Sequence, residues 1–138
     1  MNRILIIGCG LIGSSVLRTV YKKKIARKIF ILEKSKNNIS KIKRLNLKCQ
    51  VLKDFKNEVP KMDMIIFCTH LSNYEQALKK INKFLNKKTI ITDVGSTKNL
   101  ILQKIRKKLK KGVFWTPSHP IAGSEVSGPE FGYSNLFK

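Results

Sequence analysis

Short apolar runs alternate with amphipathic stretches along the whole chain. The run RILIIG at residues 3–8 predicts a buried strand, and the apolar spacing of residues 11–24 predicts a helix. The same alternation predicts strands at 28–33, 48–52, 63–69, 88–95 and 112–116, helices at 36–46, 73–85 and 97–110, and a loop or weak helical turn at 53–62. Because parallel strands need crossover connections, this order predicts an α/β fold with a doubly wound, mostly parallel six-stranded sheet.

Composition narrows the class of protein further. The length of 138 residues fits one domain, and a hydrophobic fraction of 42% is enough for a packed core. No apolar run approaches the ~20 residues that a membrane-spanning helix needs, and the start of the chain does not resemble a signal peptide. The three cysteines are scattered without C-x-x-C spacing. We therefore expect no disulfide, no metal site and no membrane partner, in a reducing cytoplasm.

The formal net charge of +21 raises the question of a nucleic-acid partner. The lysines, however, are spread over the whole chain in segments such as YKKK, KKIN and IRKKLKK, mostly where helices would face water. No aromatic RNA-binding motif and no recognition-helix pattern accompanies them. We therefore predict no nucleic-acid partner, and we keep a basic nucleic-acid-binding module only as an alternative.

The segment IIGCGLIGSS contains a G-x-G-x-x-G pattern between a predicted strand and a predicted helix. In this context Gly8 would allow the tight turn, Gly10 would let the backbone approach a pyrophosphate, and Gly13 would let helix and strand pack closely. Leu11 and Ile12 open the helix, whose free N–H groups would face the anion. The pattern favours a Rossmann-type dinucleotide site; the alternative is a turn whose glycines serve packing only.

Glu33 ends the second predicted strand, where an acidic side chain would accept hydrogen bonds from the adenosine ribose. Its charge would repel a 2′-phosphate, so it favours NAD over NADP. Lys34 and Lys36 lie beside it and could instead serve such a phosphate. We predict NAD as the cofactor, with NADP as the second choice.

Ligands of open α/β sheets lie beyond the carboxyl ends of the strands, which brings three further segments to the cofactor. They are CTHLS, DVGSTK and PSHPIAG. From the first segment we predict Cys68 and Thr69 as cofactor contacts. His70 could touch the cofactor as well, although an exposed loop histidine is the preferred interpretation.

Ser96 and His119 are the candidate catalytic residues, and Ser96 is also a candidate cofactor contact. Histidine is the usual general base near neutral pH, and a nearby serine hydroxyl can orient the imidazole or a substrate hydroxyl. A histidine facing a nicotinamide suits removal of a hydroxyl proton while hydride leaves the same carbon. The pattern therefore favours an alcohol-oxidising dehydrogenase. In the alternative interpretation His119 is a loop residue before Pro120, and Ser96 is a helix N-cap.

Three segments resemble the prephenate dehydrogenase family, and in particular cyclohexadienyl and arogenate dehydrogenases. They are GCGLIGSS, TDVGSTK and, most specifically, SHPIAGSEVSGPEFGYSNLF, in the order found in that family. The resemblance implies an NAD-binding Rossmann domain at residues 1–117 and an active-site segment at 118–138. It also implies an oxidoreductase of tyrosine biosynthesis that oxidatively decarboxylates prephenate or arogenate.

The same resemblance implies the roles of individual residues. His119 would bond the substrate 4-hydroxyl and assist its deprotonation, and Ser96 would help to hold both. The wall over the substrate and the nicotinamide would be shaped by Gly123, Ser124, Glu125, Ser127 and Gly128. Of these residues, Ser124 and Glu125 would make the polar contacts, although Glu125 could instead cap a turn.

The chain also departs from the family. The loop after the fourth strand reads CTHLSN, where members often carry a proline. The resemblance implies a further helical domain that forms a homodimer and supplies an arginine to the substrate carboxylate, and we expect this chain to lack it. We therefore expect NAD binding with little or no turnover. Prephenate and arogenate remain open as substrates. The alternatives are a non-catalytic NAD-binding fragment and another dehydrogenase with the same glycine loop, such as a β-hydroxyacid or imine reductase.

Overall fold

The computed structural model describes residues 1–123 and 125–137 as alternating strands and helices. The strands are β1 (Arg3–Ile7), β2 (Lys28–Leu32), β3 (Gln50–Val51), β4 (Met64–Phe67), β5 (Ile90–Asp93) and β6 (Trp115–Thr116). The α-helices are α1 (Leu11–Lys22), α2 (Lys36–Arg44), α3 (Phe55–Glu58), α4 (Tyr74–Ile81) and α5 (Asn99–Lys108). Short 3₁₀ turns cover Val59–Lys61, Leu71–Asn73, Asn82–Phe84 and Pro129–Phe131.

The strands form a six-stranded sheet in the order β3-β2-β1-β4-β5-β6. All the strand pairs in the described part of the chain are parallel, so the predicted α/β, doubly wound architecture is confirmed. The chain runs outward from β1 to β3 and then returns to start β4 beside β1. The strand order therefore reverses between β1 and β4, which is where ligands bind in folds of this kind.

Helices cover both faces of the sheet, and the strand β1 shows how the chain fills both cores. Alternate side chains of a strand point to opposite faces. Leu5 and Ile7 belong to the core that contains residues of α4 and α5, whereas Ile4 and Ile6 belong to the core that contains residues of α1 and α2. All four side chains are buried, which explains why RILII is an unbroken apolar run rather than an alternating one.

The predicted boundaries differ from the observed ones at several ends. The last strand was expected at 112–116, but only Trp115 and Thr116 pair with β5. Gly112 has φ = +83°, and the backbone N–H of Val113 bonds the carbonyl of Lys110, so the chain is still turning there. The third strand is also shorter than 48–52, and α3 forms where a loop or weak turn was predicted.

None of the helices in residues 1–123 and 125–137 has the length and apolar character that a membrane crossing needs.

Candidate active site

A cavity of about 1080 Å³ lies at the edge of the sheet where the parallel strands end. Its lining residues come from the segments that follow β1, β2, β4, β5 and β6. The cavity therefore spans the point at which the strand order reverses. Its size is just above the ~300–1,000 Å³ typical of small-molecule and cofactor sites.

The turn between β1 and α1 forms one wall of the cavity. Gly8 has φ = +86°, a conformation that glycine adopts without strain. A Cβ atom on Gly13 would lie 1.9 Å from the carbonyl oxygen of Gly8, so no side chain fits where α1 packs on this turn. A Cβ on Gly10 would meet nothing within 4 Å. Gly8, Gly10, Leu11 and Ile12 line the cavity, and Gly13 is buried in the first turn of α1.

Glu33 follows β2 and places its carboxylate on the cavity wall. One carboxylate oxygen accepts a hydrogen bond of 2.8 Å from the backbone N–H of Cys9, and the other accepts one of 2.8 Å from the backbone N–H of Ser35. The carboxylate is thus fixed relative to the glycine turn. Sequence reasoning assigned Glu33 to a ribose but did not foresee that it also braces the turn.

The two lysines beside Glu33 are placed differently. Lys34 lines the cavity, and its ammonium group donates a 3.1 Å hydrogen bond to the Asn73 side-chain oxygen and another to the Gln76 side-chain oxygen. Lys34 therefore reaches across to α4. Lys36 is exposed at the start of α2 and lies outside the cavity lining.

The cofactor contacts predicted after β4 also reach the cavity. Cys68 and Thr69 both line it, and Thr69 packs so closely on the turn that a Cβ on Gly8 would lie 2.7 Å from the Thr69 Cβ. Burial raises the pKa of the Cys68 thiol. Burial also raises the pKa of the Cys9 thiol, and the nearby Cys68 and Glu33 raise it further. Both thiols are free and protonated near neutral pH, so they act as small packing groups.

Ser96 and His119 come from the ends of β5 and β6 and line the same cavity. Both are exposed, and the described hydrogen bonds do not join one to the other. The alternative interpretation of Ser96 as a helix N-cap is wrong, because α5 begins at Asn99 and its N-cap residue is Lys98. His70 is exposed and also lines the cavity.

The residues proposed for the substrate wall divide into two groups. Gly123, Ser127 and Gly128 line the cavity. Glu125 is exposed and lies outside the described lining. Ser124 lies outside the described residues.

The segment after the cavity wall packs on α1, which sequence reasoning did not predict. A guanidinium nitrogen of Arg18 donates to the carbonyl of Pro129 at 3.2 Å. The Thr19 hydroxyl donates to the carbonyl of Ser134 at 2.9 Å, and the backbone N–H of Tyr133 donates to the Ser15 hydroxyl oxygen at 3.0 Å. These bonds hold residues 129–134 against the helix whose first turn lines the cavity.

A buried polar cluster behind Ser96 and His119 was also missed by sequence reasoning. Asp93 is completely buried at the end of β5, and its side chain forms an ion pair of 2.8 Å with the ammonium group of Lys98. Lys98 also donates to the backbone carbonyl of Ser118. The sequence did contain a signal for this cluster, because Asp93 ends an apolar strand. A carboxylate buried there needs a charged or hydrogen-bonding partner.

The strand order, the glycine turn and the acidic residue after β2 define a nucleotide-binding domain of the Rossmann class. The comparisons with known proteins identify its family. Residues 17–138 match the model of the prephenate dehydrogenase nucleotide-binding domain. This chain therefore belongs to the prephenate dehydrogenase family, and the resemblance noted from its motifs is confirmed.

Two curated relatives and one solved structure are especially similar to the chain. The cyclohexadienyl dehydrogenase of Zymomonas mobilis is 31% identical over 137 residues, which are 99% of this chain and 46% of the relative. The prephenate dehydrogenase of Lactococcus lactis is 34% identical over 145 residues, covering 100% of this chain and 39% of the relative. The A. aeolicus prephenate dehydrogenase, solved with hydroxyphenyl propionate and NAD⁺, superposes with a TM-score of 0.86 at 26% identity, over 100% of this chain and 48% of that one. The chain thus spans less than half the length of each.

Proposed function

We propose that this chain is the cofactor-binding half of an NAD-dependent prephenate or arogenate dehydrogenase of tyrosine biosynthesis. One observation carries the proposal. The glycine turn, Glu33, Ser96 and His119 come from four separate strand ends, yet all of them line one cavity. A dinucleotide that spans this cavity would have one end beside Glu33 and the other beside Ser96 and His119.

The residues of the cavity fit NAD. The backbone at Gly10 faces open space, which leaves room for a pyrophosphate at the N-terminus of α1. Glu33 lines the cavity, and an acidic residue after the second strand of such folds accepts from the ribose hydroxyls and disfavours a 2′-phosphate. The ammonium group of Lys34, the lysine closest in sequence, is already bonded to Asn73 and Gln76. Bound NAD would supply the hydride acceptor of the reaction.

Ser96 and His119 would act at the substrate hydroxyl. The imidazole of His119 accepts the proton of the 4-hydroxyl while the carbon that bears this hydroxyl is oxidised. The hydroxyl of Ser96 holds the substrate oxygen in line with the imidazole. The ring carboxylate then leaves as carbon dioxide, and the electron pair of the broken bond completes the aromatic ring.

We expect slow turnover or none from the 138 residues by themselves. The lysines of the described cavity lining are Lys34, which follows Glu33, and Lys80 of α4, and neither belongs to the loops of Ser96 and His119. A carboxylate of the substrate would therefore lack a charged partner near the reacting carbon. Since the relatives are about twice as long, we propose that their second half supplies this partner and the dimer contacts. The free thiols of Cys9, Cys49 and Cys68 fit a reducing cytoplasm.

Calorimetric titration with NAD and with NADP tests the cofactor proposal. We expect NAD to bind and NADP to bind more weakly. Replacing Glu33 by alanine should lower NAD affinity at least about tenfold, because the charge-assisted bond to the ribose is lost together with the bonds that hold the Cys9 and Ser35 N–H groups. The control is Glu75→Ala, since Glu75 pairs with Lys108 on the outer surface of α4 and α5. Absence of binding for both cofactors would overturn the proposal.

Turnover is tested by adding prephenate or arogenate and following the reduced cofactor. The two histidines of the chain form a matched pair for this assay. In a chain joined to the second half of a relative, His119→Asn should abolish turnover and leave NAD affinity within about twofold. His70→Asn should preserve turnover. If His119→Asn retains full activity, His119 is not the base.

A further inference from the structure

The buried ion pair between Asp93 and Lys98 connects separate parts of the fold. Besides the lysine, the carboxylate of Asp93 accepts hydrogen bonds from the Tyr74 hydroxyl at 3.1 Å, the Gly95 backbone N–H at 2.9 Å and the Trp115 ring N–H at 3.1 Å. These donors belong to α4, to the loop after β5 and to β6. The cluster thus spans three elements that meet behind the cavity.

The bonds of the pair end next to the two candidate catalytic residues. Gly95, whose N–H is held by Asp93, immediately precedes Ser96. Ser118, whose carbonyl oxygen accepts from Lys98, immediately precedes His119. The hydroxyl of Ser118 also donates to the backbone carbonyl of Asp93. The backbones that carry Ser96 and His119 are therefore bonded to one Asp–Lys unit.

Burial of two charges is costly, and a buried pair often contributes little to stability compared with apolar residues of the same volume. Lys98 is 8% exposed and Asp93 is 0% exposed, so both charges are largely removed from water. The polar donors around Asp93 lower this cost by satisfying its lone pairs. The rings of Phe67 and Trp115 pack with centroids 4.4 Å apart beside the cluster and limit its freedom to rearrange.

We propose that Asp93 and Lys98 are positioning residues, which set the separation of Ser96 and His119 at the nicotinamide end of the cavity. The inference rests on the proposed function. Neither side chain is itself among the residues that line the cavity, so the pair acts through the backbone of its neighbours. At the adenosine end the carboxylate of Glu33 is instead held by Cys9 and Ser35. Loss of the pair should therefore disturb one end of the cofactor site and spare the other.

Comparison of two ligands separates positioning from general stabilisation. NAD occupies both ends of the site, whereas ADP-ribose lacks the nicotinamide. For Lys98→Met we expect the dissociation constant of NAD to rise about fivefold, roughly the worth of one lost hydrogen bond, and that of ADP-ribose to stay within about twofold. Lys107→Met is the matched control, because Lys107 is exposed in the last turn of α5. Equal changes for both ligands, or no change for either, would overturn the proposal.

A ligand-free readout distinguishes this inference from the proposed function. The chain has two histidines, so the Hε1 region of its NMR spectrum contains one imidazole signal from each, and His70→Asn assigns them. In Lys98→Met the His119 signal should move and the His70 signal should stay. If the unaltered chain binds neither ligand, the proposed function fails. The shift of the His119 signal in Lys98→Met would still show whether the ion pair positions His119.

A second variant covers the case in which Lys98→Met does not fold. Asp93→Asn keeps the size of the side chain and removes the negative charge that pairs with Lys98. We expect this variant to fold, to weaken NAD binding about two- to threefold and to leave ADP-ribose binding unchanged. Unchanged NAD binding together with an unmoved His119 signal in this variant would contradict the proposal.

Discussion

The two glycines at the start of α1 lead to opposite predictions for one added methyl group. At Gly13 a Cβ would lie 1.9 Å from the Gly8 oxygen, 2.9 Å from the Gly8 carbonyl carbon and 3.2 Å from the Cys68 Cβ. Ordinary contact begins at 3.4 Å, so the methyl group is about 1.5 Å too close to a backbone atom. At Gly10 nothing lies within 4 Å, and its φ of −73° is outside the left-handed region that favours glycine.

The expected cost of Gly13→Ala follows from this overlap. Insertion of a methylene-sized group into a packed core costs about 1–3 kcal/mol of stability. The clashing atom here is a backbone oxygen, which cannot rotate away as a side chain can, so we expect a cost near about 3 kcal/mol. The higher helix propensity of alanine offsets about 1 kcal/mol of this cost. The net loss is about 2 kcal/mol, or a fall of about 8 °C in the melting temperature of a domain of this size. The helix cannot retreat easily, since Leu17 and Val20 of α1 are buried in the core.

Gly10→Ala should instead leave the melting temperature unchanged and weaken NAD binding, because its methyl group would occupy the space that a pyrophosphate needs. Thermal unfolding followed by circular dichroism measures the first effect, and calorimetry with NAD measures the second. The reasoning is refuted if Gly13→Ala is as stable as the unaltered chain. It is refuted equally if Gly10→Ala binds NAD with unchanged affinity.

Two further predictions concern stability. The backbone N–H groups of Arg3 and Asn2 bond the Asp63 carboxylate and lower its pKa below the ordinary 3.8. The ionised carboxylate therefore stabilises the fold fully above pH 3.8, and this stabilisation is lost as the pH falls from there through the lower folded-state pKa. Asp63→Asn should thus lower the melting temperature near neutral pH, and the difference from the unaltered chain should shrink in acid. A difference that stays constant with pH would contradict this. Leu136 is 7% exposed and Leu100 is 77% exposed, so in urea unfolding Leu136→Ala should cost about 2 kcal/mol and Leu100→Ala less than about 0.5 kcal/mol. Equal losses for the two leucines would mean that Leu136 does not pack on the domain.

Local patterns were sufficient to predict which residues form the glycine-turn side of the cavity. The turn at Gly8, the close packing at Gly13 and the carboxylate of Glu33 all lie within one strand-turn-helix-strand unit. Each of these features depends on contacts between residues near in sequence, or on the parallel pairing of β1 with β2. Spacing along the chain therefore carries most of the information about this end of the site.

The ends of the elements were predicted less well, for a physical reason. The segment 112–116 is apolar enough for a strand, but its ladder is restricted to Trp115 and Thr116. The length of a strand at the edge of a sheet depends on how far its neighbour extends and on the turn that leads into it. The helix α5 was predicted to begin at residue 97, but it begins at Asn99. Lys98, which precedes it, bonds the Asp93 carboxylate, and this contact with another element is not visible in the local pattern.

The sequence by itself determined the class of fold, the glycine turn, the acidic residue after β2 and the two residues proposed for catalysis. Periodicity and short motifs encode these features, because they depend on backbone conformation and on which side chains avoid water. Only the tertiary structure decided that Asp93 and Lys98 join the backbones beside Ser96 and His119, and that residues 129–134 pack on α1. Such contacts join residues far apart in the chain, and no local pattern specifies which donor will reach which acceptor once the sheet has assembled.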